Sequence, residues 1–116
     1  MSSSLLNNLN KIEKLKNRSN YKLWRSRIVA ILEIEGLWRI VSGTRTKPSV
    51  TPDSETSPEL EAWTTDARRA WVTIELSLSD EIQYISSNFE RDDPVGLWNH
   101  LERKYLPCQG VEASRL

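Results

Sequence analysis

The sequence has one cysteine, one histidine, one methionine and only four glycines. Each shortage closes off a class of chemistry. Cys108 has no partner for an internal disulfide, which fits a reducing compartment. A structural zinc site needs about four ligands, and Cys108 with His100 makes two. As a nucleophile–base pair the same two residues would have to be held by packing. Cys108 instead follows Pro107 in a stretch with no clear period, so a small thiol and a surface or capping histidine is the preferred reading. Gly36, Gly43, Gly96 and Gly110 are scattered and form no phosphate-cradling loop. The longest apolar run, Ile28 to Leu32, stops at Glu33, far short of a membrane span. The start lacks a basic region and a sustained apolar stretch, so no signal peptide is expected. The Asn17-Arg18-Ser19 sequon means nothing without secretion. The expectation is a non-enzyme with no cofactor, no metal and no membrane partner.

What is present is aromatic and charged. Five Trp, three Tyr and one Phe in 116 residues can fill one modest core. Net charge is zero but uneven. Residues 1–47 hold ten Lys/Arg against three acids, a net of +7, and residues 48–116 hold six against thirteen, a net of −7. This reads either as solvated faces with some pairing inside the fold, or as a polar subunit. In the second case a basic face meets a neighbour's acidic face, as in head-to-tail assemblies.

Periodicity is helical throughout. Asn20 is a candidate cap for a helix from Tyr21 to about Glu35, closed by Gly36. Tyr21, Trp24, Ile28, Ile31 and Leu32 share one of its faces. Gly36 to Gly43 suggests a brief second helix. Ser57-Pro58 opens the clearest helix, with Leu60, Trp63, Ala67, Ala70, Trp71, Ile74 and Leu78 at three/four spacing. Ser79 is a candidate cap for a short helix with Ile82, Ile85 and Phe89 inward. Asp93-Pro94 opens the last helix, whose face is Val95, Trp98, Leu101 and Tyr105 and which Pro107 ends. The carboxylate pairs Asp80/Glu81 and Asp92/Asp93 sit at these helix starts, where capping and dipole effects explain them. Leu5 to Leu15 fits a helix or an extended arm.

The expected fold class is all-α, a compact bundle of about five helices with a long Ser/Thr/Pro loop near residues 43–57. The expected divisions are an arm or short helix over 1–19, a helical domain over 20–106, and a tail over 107–116 that reads as cut from a longer chain. The expected core is Tyr21, Trp24, Ile28, Trp63, Trp71, Ile74, Trp98, Leu101 and Tyr105. Leu37, Trp38, Ile40 and Val41 crowd one short segment, and one helix face does not bury all four. They are the candidate self-association patch. Lys11, Lys14, Lys16, Arg18, Lys22, Arg25 and Arg27 are the candidate RNA contacts, and an RNA-binding helical domain is the alternative function.

In order, Lys14-Leu15, Ser19-Asn20-Tyr21, Trp24, Gly36-Leu37-Trp38, Val41 and Gly43 resemble the opening of copia-type retrotransposon Gag polyproteins. Trp63, Asp66 and Ala70 extend the series to Ile74, Leu78-Ser79-Asp80-Glu81 and Gly96-Leu97-Trp98 through Tyr105. The resemblance spans residues 14 to 105. It implies a helical capsid domain that self-associates into cytoplasmic virus-like particles around element RNA, held weakly here, with related Gag proteins as further partners. Full-length members of that family continue into more capsid helices and often a zinc knuckle, so this chain reads as a fragment, a truncated copy or a host-adopted derivative. On this reading Trp38→Ala should weaken association while helical content is kept. Loss of the fold, followed by circular dichroism, would place Trp38 in the core instead.

Overall fold

A computed structural model of the chain describes residues 3–49 and 57–106. Helix α1 spans Ser3–Lys11, α2 Tyr21–Ile34, α3 Trp38–Val41, α4 Pro58–Leu76 and α5 Pro94–Tyr105. Two 3₁₀ segments, Arg18–Asn20 and Asp80–Asn88, lie between them. The fold is all-α. The tail over 107–116, with Cys108, and residues 50–56 of the long loop lie outside the described residues.

Both readings of Leu5 to Leu15 apply, each to a part. Leu5 and Leu9 are buried one turn apart on α1. The chain then extends, and Leu15 forms a parallel bridge with Leu78. Leu15 N–H donates to the Ser77 carbonyl at 2.9 Å, and Ser79 N–H donates to the Leu15 carbonyl at 3.0 Å. Leu5, Leu9 and Leu15 belong to the same core as α2, α4 and α5, so packing marks no boundary at residue 19.

Asn20 does not cap α2 through its side chain. Its carboxamide turns back, accepting from Lys16 N–H at 3.0 Å and donating to the Lys14 carbonyl at 2.8 Å. The irregular segment before α2 has backbone groups to satisfy, and they take this side chain. Asn17 caps the 3₁₀ turn that leads into the helix. At the far end Gly36 adopts φ +75, where a Cβ would be strained. Leu37 N–H donates to the Leu32 carbonyl at 2.7 Å and Gly36 N–H to Glu33 at 3.1 Å, a Schellman closure with Leu32 and Leu37 both buried. Gly43, φ +86, closes α3.

Ser57 caps α4 as expected, its hydroxyl accepting from Leu60 N–H at 3.0 Å, with Pro58 at the first position. Leu78, expected on the α4 stripe, lies beyond the helix end in the bridge. Ser79 makes no side-chain cap, and the following segment is 3₁₀. Ser79 spends its backbone on Leu15, while Gln83 and Ser86 reach back to the α4 terminus. Gln83 Nε2 donates to the Glu75 carbonyl at 3.3 Å, and Ser86 Oγ donates to the Glu75 carboxylate at 3.0 Å. Asp93 caps α5 by accepting from Gly96 N–H at 2.9 Å. A Cβ at Gly96 would overlap that carboxylate, so a larger residue there would push the Asp93 side chain out of its capping position.

All nine expected core residues are buried. Leu97 joins them, while Val95 is only half-buried. Ile40, Trp63 and Ala67 form a smaller cluster between α3 and α4. No helix among the described residues is long and apolar enough to cross a membrane.

Trp24 is the test of this packing. It is buried, and its indole Nε1 donates to the Ser77 carbonyl at 3.0 Å. Trp24→Phe removes the donor and part of the volume, and should lower stability by about 2–3 kcal/mol. A urea midpoint equal to wild type would remove Trp24 from its central place in the core.

Candidate functional site

The expected self-association patch is corrected by its burial. Leu37, Ile40 and Val41 are in the core, and Trp38 is half-buried. Two glycine turns, one at each end of α3, fold the segment back so that more than one of its faces is covered. Leu37 sits under the α2 terminus, Ile40 meets Trp63 and Ala67, and the Trp38 ring stands edge-on to Trp98 at 5.5 Å. Trp38 is one end of an aromatic run. Trp98 stacks on Trp24 at 5.6 Å, and Trp24 lies 5.7 Å from Tyr21.

The basic residues divide into two groups. Arg25 lies over Trp98 at 5.7 Å and Trp38 at 6.0 Å, and its Nε is 3.7 Å from Glu102. Lys14 Nζ donates to the Leu76 carbonyl at 2.9 Å, and Arg18 Nε donates to the Lys104 carbonyl at 3.3 Å. Lys16 pairs with Glu13 at 3.6 Å. These four are engaged within the fold. Lys11, Lys22 and Arg27 are exposed and form no ion pair among the described residues. Tyr21 and Trp24, the aromatics interleaved with this basic stretch, are buried and present no face for stacking bases. The RNA reading therefore rests on charge alone.

The half-to-half charge asymmetry is partly neutralised inside the molecule. Arg45 meets Asp66 at 2.7 Å, and Arg69 bridges Asp66 at 3.4 Å and Glu35 at 3.2 Å. These pairs join the loop after α3, α4 and the α2 terminus. They are part-exposed, worth at most about 1 kcal/mol each.

What remains open is the outer side of α2. Leu23 is 52% exposed and Ile34 72%, with Arg27 and Ala30 exposed between them. The four share one helix face over about three turns. A groove of about 730 Å³ runs along one flank, between α2 and the end of α5, with Lys22, Arg25, Val29, Glu102 and Leu106 in its walls. A smaller groove of about 180 Å³ lies on the other flank, against Lys11 and Ile12. In the sequence, Leu23 and Ile34 are apolar residues off the stripe formed by Tyr21, Trp24, Ile28, Ile31 and Leu32, and that offset is the one signal that marks them. Tyr84, 63% exposed on the second 3₁₀ segment, is a further large side chain facing outward, with Leu6 and Leu106 less exposed.

No protein-family model, curated protein or solved structure matches the chain.

His100 is half-buried, and its ring lies 5.5 Å from Phe89. Among the described residues no group of His, Cys, Asp and Glu has the placement to hold a metal ion. Burial pushes the Tyr21 phenol above its ordinary value of 10.0, Glu102 adds to the shift and Arg25 opposes it. Burial also raises Tyr105, helped by Tyr84.

Two outcomes follow. Trp38→Ala should cost about 1–3 kcal/mol of stability, because it strips the edge contact from Trp98. An unchanged denaturation midpoint would return Trp38 to the surface. An unfolded tyrosine ionises near pH 10 while the buried ones keep their protons to higher pH, so stability should fall as pH rises above about 10. Tyr21→Phe should reduce that fall, and an equal slope in the variant would contradict the assignment.

Proposed function

We propose that the chain is a structural, self-associating helical domain of the copia-type Gag (capsid) kind, acting by assembly and not by catalysis. The support is where the resembling residues sit. Leu15 and Leu78 make the bridge, Trp24 and Trp98 stack, Gly36 and Gly43 turn the chain with positive φ, and Ala70, Ile74, Leu101 and Tyr105 fill the core. The ordered series is thus a recipe for one fold, which is what a family of assembling scaffolds would keep in common. Its partners would be further copies of itself and related Gag proteins, with element RNA bound weakly, in cytoplasmic particles. Residues that contact a neighbour then belong to the outward surfaces, chiefly the α2 ridge.

Light scattering on size-exclusion fractions, over a range of protein concentration and at low and high salt, tests the reading. The mass should grow with concentration. Growth confined to low salt would assign the contact to charge, and growth at both salts to the apolar ridge. A strict monomer under every condition would refute self-association by this chain.

A further inference from the structure

Resting on the self-association reading, we infer that copies of this chain join head to tail, the outer ridge of α2 in one copy receiving the acidic second 3₁₀ segment of the next. The ridge is Leu23, Arg27, Ala30 and Ile34, with Lys22 beside it on the groove wall. Two large aliphatic side chains more than half in water on one face are an apolar surface without a cover. The groove wall itself is balanced, Lys22 and Arg25 against Glu33 and Glu102, so the excess positive charge of this side is that of Arg27 on the ridge.

The second 3₁₀ segment, Asp80–Asn88, has the opposite character. It packs onto α4, with Ile82 and Ile85 buried, and leaves Asp80, Glu81 and Tyr84 exposed. It contains no Lys or Arg. Tyrosine supplies a large, amphipathic contact and is favoured at the centres of interfaces. Tyr84 therefore offers an apolar ring on the same 3₁₀ face as the Glu81 carboxylate, with Asp80 one residue away in the chain, and the ridge offers apolar side chains around Arg27 with Lys22 beside them.

Charge decides between the possible symmetries. Ridge against ridge would set Arg27 near its own copy, and the 3₁₀ segment against itself would set Asp80 and Glu81 against the same acids. Ridge against 3₁₀ segment brings opposite charges together. Two different patches in contact make a heterologous interface, which continues into rings or filaments instead of stopping at a pair.

The test uses two variants of the full chain, each with one patch removed. One is Arg27→Ser with Ile34→Ser, and the other is Glu81→Ser with Tyr84→Ser. All four side chains are exposed, and unchanged circular dichroism checks each fold. Light scattering should find each variant associating about tenfold or more weakly than wild type. Mixed together, they should form a one-to-one pair and grow no further, because each supplies the patch the other has lost and has no second one to extend from. If either variant alone assembles like wild type, or the mixture stays monomeric, the head-to-tail pairing is wrong while wild-type growth keeps self-association standing. If the ridge variant loses affinity for a single-stranded RNA oligonucleotide but assembles normally, the ridge is a nucleic-acid surface and the pairing is again wrong. A wild-type chain that never grows overturns both readings.

Discussion

The carbonyl of Ser77 accepts two hydrogen bonds, from the backbone of Leu15 and from the indole of Trp24. A carbonyl oxygen has two lone pairs, and here both are spent on other parts of the chain. The oxygen lies just past the end of α4, where helix carbonyls lack partners of their own. Its need for donors pulls the extended segment before α2 and the first turns of α2 onto the same point. Trp24, held there, sets the position of Trp98 on α5, and Trp98 sets that of Trp38 on α3. One helix terminus therefore orders the aromatic run from Trp24 to Trp38.

Cations close the edges of that core. Arg25 covers Trp98 and Trp38, Arg91 lies 5.1 Å over Trp71, and Lys47 lies 5.9 Å over Trp63. Each holds its charged group over a ring at the edge of the core. The uneven charge of the two chain halves is thus partly an internal arrangement, with Arg25 to Glu102 and Arg45 to Asp66 crossing between them. Only what is left over, such as Arg27 and Glu81, is available to a neighbour.

The helices were legible because their periodicity and punctuation agreed. Ser57-Pro58 and Asp93-Pro94 start helices, and Gly36 ends one, for local reasons that need no tertiary knowledge. Asn20 and Ser79 misled for the opposite reason. Both are good caps in isolation, but distant groups claimed them: the 14–17 segment took the Asn20 side chain, and Leu15 took the Ser79 backbone. The patch at Leu37, Trp38, Ile40 and Val41 failed because a short helix between two glycine turns is covered from several directions, which counting one face does not capture. Leu23 and Ile34 were visible as apolar, but only the placing of Tyr21, Trp24, Ile28, Ile31 and Leu32 in the core leaves these two facing out.

The Leu15–Leu78 bridge joins parts of the chain on either side of the long loop. During synthesis the amino-terminal half emerges with Trp24 and Leu15 both lacking their acceptor. It waits, incompletely packed, until Ser77 leaves the ribosome. A chain broken within the loop would yield two pieces, neither with a finished interior, and each carrying the other's missing half. Neither side of the loop is therefore a complete packing unit without the other, since both contribute to the one core.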